Sequence, residues 1–250
     1  MAAASLAWSA AALIDKIRKR HPRIHCLTNG VAQAFTANAL LALGAQPSMT
    51  NSVEEVEAFV EGADALLVNL GTLDEPGRQA MRLAIGVANR RGIPWVLDPV
   101  FVERSSGRST FAHELIAHGP KVIRGNEVEI AHLSQGQAID GFARALGAIV
   151  AATGTTDRLV DGNRAIGIPN GHPLMGRVTA MGCANAALIA ALLTVADDPF
   201  EGCAAAMLAA GVAGEIAAEH SSGPGTFASA YLDALHGLDS GKLATRARVI

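Results

Sequence analysis

The chain has 250 residues, half of them hydrophobic and only 4% aromatic, with a formal net charge of −3. That length is compatible with one α/β domain over residues 1–250, its core built from Ala, Val, Leu and Ile. The near-balanced charge offers no basic surface, so nucleic acid and anionic membranes are not expected partners.

Residues 1–14 are apolar and the charges Asp15, Lys16, Arg18, Lys19 and Arg20 follow them, the reverse of a secretory signal, so an amphipathic first helix is expected. Residues 24–28 read as a short buried strand ended by Asn29-Gly30, and 32–43 as a helix closing at Gly44. A second strand is expected at 45–50, with Pro47 marking an edge or a loop, before Ser52-Val53-Glu54-Glu55 opens a helix with a capping pattern. Residues 65–70 form an apolar strand, Gly71-Thr72-Leu73 turns into a helix over 76–91, and Gly92-Ile93-Pro94 resets the chain for a strand at 95–97. Asp98-Pro99-Val100 ends that strand.

Further along, a strand at 121–124 runs into a helix at 126–133; another helix follows at 139–146, and a strand at 148–152 ends in Thr153-Gly154. Residues 158–160 and 164–168 alternate around Asp161-Gly162-Asn163, a hairpin signal. The remainder reads as helical over 184–195, 199–219 and 226–238, with Gly223-Pro224-Gly225 separating the last two. The apolar runs 184–196 and 204–214 are shorter than the ~20 residues of a membrane span, so they are expected to be buried helices. Cys26, Cys183 and Cys203 cannot all pair and show no C-x-x-C or His-rich spacing. A reducing, cytoplasmic setting without a zinc site is the expectation.

Strand and helix alternation followed by a hairpin predicts a three-layer α/β fold: a mainly parallel central sheet with an antiparallel edge hairpin and helices on both faces. Ligands of such sheets sit beyond the C-terminal ends of the strands. Asn29, Asn69, Asp98, Arg124 with Asn126, and Thr153 all fall at strand ends and would face one crevice.

The stretch Val178-Thr179-Ala180-Met181-Gly182-Cys183-Ala184-Asn185 joins a small-residue turn to the start of an Ala/Leu helix. Unpaired N–H groups and the positive end of a helix dipole converge there, which suits an anion. A thiol at that end is expected to fall from about 8.5 toward neutrality and serve as a base; Cys183 could equally be a small hydrophobe filling a turn. Asp98 could serve a metal or phosphate neighbour, or cap the Pro99-Val100 turn. Asn126 and Glu129 share one face of a helix start and could hold Mg²⁺ through waters, although the spacing favours a capping box. Arg124 could grip a phosphate or form a surface ion pair, and Thr153-Gly154 could approach a nucleotide or simply end a strand. Met49 could fill core or line a substrate pocket. The histidines, His25 and His172 among them, have no ligand spacing.

Taken together, His25-Cys26-Leu27-Thr28-Asn29, Thr36-Ala37-Asn38, Pro47-Ser48-Met49, Asn69-Leu70-Gly71-Thr72-Leu73, Asp98-Pro99-Val100, Ile123-Arg124-Gly125-Asn126 with Glu129-Ile130, and Gly223-Pro224-Gly225-Thr226-Phe227 resemble the hydroxyethylthiazole kinase family, in that order along nearly the whole chain. The resemblance implies a ribokinase-like fold and phosphorylation of 4-methyl-5-(2-hydroxyethyl)thiazole by ATP with Mg²⁺, in thiamine salvage. It also implies a homotrimer with substrate pockets at subunit interfaces. Carried over by position, Asn29, Met49 and Ala180 would contact the thiazole, and Arg124, Thr153 and Gly182 the nucleotide. Asp98, Glu129 and Asn126 would form the Mg²⁺ region, and Cys183 stands where related sugar kinases have a base Asp. The family's Gly-Thr-Gly-Cys is here Ala180-Met181-Gly182-Cys183, its small residues after Asp98-Pro99-Val100 are replaced by Phe101, Glu103 and Arg104, and its Thr-Gly-Glu is Thr153-Gly154-Thr155. An active thiazole kinase, a ribokinase-like kinase for another small alcohol, and a weakly catalytic binding protein are therefore all compatible with the chain.

Overall fold

In the computed structural model, which describes residues 1–250, eight strands form one sheet. They are β1 (Arg23–Leu27), β2 (Gln46–Ser48), β3 (Ala65–Asn69), β4 (Trp95–Asp98), β5 (Val122–Asn126), β6 (Ile149–Thr153), β7 (Asp157–Val160) and β8 (Ala165–Ile168). Their order is β2-β1-β3-β4-β5-β6-β7-β8. Pairing is parallel from β2 to β6 and antiparallel from β6 through β8. The hairpin between β7 and β8 turns on Gly162 at φ 86°, while the Asp161 carboxylate accepts the N–H groups of Asn163 and Arg164 at 2.9 and 2.7 Å. That is the Asp-Gly-Asn turn chemistry expected from the sequence.

Eleven helices cover the sheet: α1 (Ala3–Arg20), α2 (Gln33–Leu43), α3 (Val56–Glu61), α4 (Glu75–Arg91), α5 (Ser106–Ile116), α6 (Glu127–Leu133), α7 (Ile139–Leu146), α8 (Met181–Leu193), α9 (Pro199–Glu219), α10 (Pro224–His236) and α11 (Ser240–Arg246). Successive strand residues point to opposite faces, and each face is apolar, so the core divides in two. Ala65, Leu67, Val96 and Val122 join α1, α2 and α8 to α11 on one side. Leu66, Val68, Trp95, Leu97 and Ile123 join α3 to α7 on the other. The expected three-layer arrangement is what forms.

Several boundaries differ from the sequence reading. Residues 52–55 form a turn, with the Ser52 hydroxyl accepting the Glu54 N–H, and the helix begins at Val56. Helix α5, in the segment after Asp98-Pro99-Val100, has no sequence signal: its first turn carries Ser, Gly and Arg, its N-cap Ser105 makes no side-chain bond, and its apolar residues lie in its second half. Helix α8 begins at Met181, three residues before the apolar run suggests, so Gly182 and Cys183 lie within its first turn. Helix α9 is 21 residues long and apolar enough to span a membrane by length, yet 83% of its apolar window is buried within the fold. It packs against α1, α8 and α10 as a core helix.

Candidate active site

Parallel pairing brings the C-terminal ends of β1, β3, β4, β5 and β6 to one edge of the sheet, with Asn69 beside Asp98 and Asn126 beside Thr153 in register. Asn69 and Asp98 are 0% and 1% exposed, so their polar atoms must be satisfied internally. Asn69 Nδ2 donates to Asp98 Oδ2 at 2.7 Å and to Cys183 Sγ at 3.1 Å, while its Oδ1 accepts from Asn29 Nδ2 at 3.2 Å and from the Gly71 N–H at 3.0 Å. A carboxylate only accepts, which fixes the amide's orientation. Gly71 has no room for a side chain: a Cβ there would lie 3.0 Å from both Asn69 Oδ1 and Asn29 Cγ. Asn69 was visible in the sequence only as one of several strand-end polar residues, and its Asn-Leu-Gly setting was the one local cue.

Cys183 sits at this junction, in the first turn of a helix whose N-cap, Ala180, contributes no side-chain bond and leaves the N-terminal N–H groups free. The expected fall in its pKa does not occur. Burial, reinforced by the neighbouring Asp98 charge, pushes the thiol up to about 12 and outweighs the lowering by Asn69 and Arg124. At neutral pH Cys183 is a thiol.

Burial likewise raises Asp98 to about 6, opposed by Arg124 and assisted by the like charge of Glu129. Glu129 is bound to the backbone: Oε1 accepts the Phe101 N–H at 2.8 Å, Oε2 accepts the Asn126 N–H at 2.8 Å, and Asn126 Oδ1 accepts the Glu129 N–H at 2.9 Å. The capping box favoured by the spacing is therefore formed, and the Asn126 amide oxygen is occupied by it. No three His, Cys, Asp or Glu side chains form a metal-ligating cluster. Two acidic groups suit Mg²⁺ nonetheless, since that ion takes one or two carboxylates and completes its shell with water and phosphate oxygens.

Arg124 is half-buried, makes no ion pair, and lies close against α8: a Cβ on Gly182 would meet its Nη1 at 2.9 Å. Both residues line a cleft of about 620 Å³, together with Thr153, Asp157, Asn170 and Met181. The Thr153 hydroxyl donates to the Gly125 carbonyl at 3.3 Å, and Gly154 takes a backbone turn closed by Asp157 at 3.0 Å. On the opposite flank, half-buried Met49 packs against the larger core cluster just after β2. His25, read as structural, pins that segment. Burial lowers its pKa to about 4, its Nε2 donates to the Thr50 carbonyl at 3.1 Å, and its Nδ1 accepts from the Ser48 hydroxyl at 2.8 Å.

The residues that depart from the family pattern are accommodated in specific ways. Phe101 and Ala180 adopt left-handed φ values of 55° and 67°, the conformation glycine supplies without a Cβ penalty. Phe101 is 57% exposed and presents its N–H to Glu129. Met181 is 4% exposed and belongs to the core while touching the cleft. Glu103 lies in a 3-10 turn, pairs with Arg104 at 2.9 Å and acts on Arg108. Its Oε1 is thus paired, while Oε2 is buried without a hydrogen-bond partner.

Ala180→Gly is expected to stabilise the fold by about 0.5–1 kcal/mol, the relieved left-handed strain less the entropy glycine adds to the unfolded chain. Urea unfolding checks this, and an unchanged or lower midpoint refutes it. Because folded Asp98 holds its proton up to about 6 against an ordinary 3.8, the folded chain binds more protons than the unfolded one in that window, and stability falls as pH rises through it. Asp98→Asn should flatten this part of the stability–pH curve. Equal slopes in the two proteins would contradict the assignment.

Comparison with known proteins identifies the family. The hydroxyethylthiazole kinase family model matches residues 14–241. The probable hydroxyethylthiazole kinase of Agrobacterium fabrum is 44% identical over 240 residues, covering 96% of this chain and 94% of its own, and the hydroxyethylthiazole kinase of Cronobacter sakazakii is 43% identical over 91% and 92%. The solved structure of a hydroxyethylthiazole kinase protein from Pyrococcus horikoshii superposes with a TM-score of 0.92 at 36% identity, covering 96% of this chain and 98% of that one. A ribokinase-like superfamily protein from Enterococcus faecalis, at 16% identity, shares the fold with a TM-score of 0.68 over 87% and 88%. At this identity and coverage the chain belongs to the hydroxyethylthiazole kinase family, whose members are phosphotransferases.

Proposed function

We propose that the chain transfers the γ-phosphoryl group of ATP to the hydroxyl of 4-methyl-5-(2-hydroxyethyl)thiazole, a salvage step toward thiamine in the cytoplasm, using Mg²⁺. The observation that carries this reading is the unpaired Arg124 guanidinium packed against the free N-terminus of α8 at the edge of the large cleft, next to the Asp98–Cys183 pair. Phosphoryl transfer asks chiefly for positioning and charge neutralisation, and a helix N-terminus with one arginine supplies both for the phosphates. Thr153 and Gly182 would complete the nucleotide side, while Asn29, Met49 and Ala180 would hold the thiazole.

Asp98, with Glu129 beside it, would hold Mg²⁺, which when bound neutralises charge on the phosphates; Asn126 contributes by capping α6. The proton of the acceptor hydroxyl leaves late in a loose transition state. A protonated thiol is compatible with such timing: in this reading Cys183 would take the hydroxyl proton as it gives up its own to water in the cleft. The ion-paired state of Glu103 weighs against the binding-protein alternative.

A homotrimer with pockets between subunits is part of the same proposal. Val31 and Leu41, exposed beside Asn29 and on α2, give the thiazole side an apolar surface that a neighbouring subunit would cover. Light scattering on the purified chain should give three times the 25.7 kDa chain mass; a monomer would refute the assembly. ADP release should require both the thiazole alcohol and Mg²⁺, and Cys183→Ala should lower kcat by about 10²-fold with KM little changed. A mutant as fast as the parent removes Cys183 from the mechanism, and a chain that binds the alcohol but not ATP is no kinase.

A further inference from the structure

The outer wall of the cleft is residues 169–175, which follow β8. On its inner side this wall rests on bare positions of α9: a Cβ on Gly211 would meet the Asn170 carbonyl oxygen at 2.6 Å, and one on Gly214 would meet Met175 Sδ. On its outer side it is bound by the last residues of the sequence. Asn170, only 6% exposed, donates from Nδ2 to the Arg246 carbonyl at 2.8 Å and to Glu215 Oε1 at 3.0 Å, and its Oδ1 accepts the Arg248 N–H at 2.9 Å. Glu215 also accepts the Gly171 N–H at 3.0 Å and pairs with Arg248, whose Nη2 donates to the Pro169 carbonyl at 3.2 Å. Ile250 and Gly167 exchange two backbone hydrogen bonds, at 2.9 and 2.8 Å, which ties the segment to the free edge of β8.

We propose that residues 246–250 are a strap that sets the nucleotide-side wall of the cleft, with Asn170 and Arg248 as positioning residues, so that affinity for the phosphoryl donor depends on this segment. The proposal rests on the reading of the cleft as the ATP site. Every polar atom of the Asn170 amide is used in holding the wall to the strap or to α9. Without the strap, Pro169 and the Asn170 amide lose their outer partners and the wall samples positions that cannot bind. The apparent dissociation constant then rises by the inverse of the competent fraction. The strap lies beyond residues 14–241, the span matched by the family model.

Calorimetric titration of ATP with Mg²⁺ should compare the intact chain, Arg248→Ala, and a chain ending at Thr245. A fold-preserving loss of the strap that leaves about one tenth of molecules competent weakens ATP binding about tenfold, with thiazole-alcohol affinity unchanged. ATP affinity equal to that of the intact chain in both variants overturns the proposal. Should the shortened chain fail to fold, amide exchange in the intact chain decides: saturating ATP must slow exchange at Gly167, Gly171, Arg248 and Ile250, because coupling between two sites is reciprocal. No change at those amides overturns the strap. An intact chain that binds no ATP removes the kinase reading and the strap with it, whereas ATP binding indifferent to the segment removes the strap alone.

Discussion

One buried amide, that of Asn69, holds the site together. Both its donors and its acceptor oxygen are engaged, and the acceptor-only carboxylate of Asp98 leaves the side chain a single orientation. Through that one rotamer Asn29, at the end of β1, is tied to Asp98 at the end of β4 and to Cys183 at the start of α8. Gly71 is bare because its backbone must come within hydrogen-bond reach of the same oxygen. Three strand and helix ends are thereby referred to one rigid point on the sheet edge, and phosphoryl transfer is a reaction that depends on such positioning.

Charge is laid out along the same edge in a definite order. Negative groups, Asp98 and Glu129, occupy the centre, and the free positive groups, Arg124 and the first turn of α8, lie toward the cleft. Burial opposes ionisation of both Asp98 and Cys183; the Asp98 charge further raises the thiol, while Arg124 and Asn69 lower both groups. A site with acidic groups short of a cation and basic groups short of an anion is complementary to a cation–phosphate pair. The departures from the family pattern leave this order intact: Phe101 and Ala180 keep the left-handed turns that place the Glu129 hydrogen bond and the start of α8.

Helix α9 shows how composition serves the same end. Its Ala and Gly residues let α1, α8 and α10 approach closely and allow the cleft wall to settle on Gly211 and Gly214. A bulkier helix at that position would push the wall outward. With few aromatics available, close approach of small side chains takes the place of large ones in filling the core.

Much of this was already determined by the sequence. Apolar runs between turn residues fixed the strands, Gly44 and Gly92 closed α2 and α4, Asp161-Gly162-Asn163 made the hairpin, and the Asn126–Glu129 spacing made the capping box, because each depends on residues a few positions apart. The polar residues at strand ends were legible for the same reason, as was the family resemblance carried by their short motifs. Helix α5 and the true start of α8 were not, since their first turns carry no local signal and packing alone places them. The ionisation of Cys183, the linking role of Asn69 and the grip of residues 246–250 on Asn170 were decided only in three dimensions. A thiol's pKa sums burial and charge over neighbours from different strands, and a buried amide finds partners up to 114 positions away, so no window of sequence contains those terms.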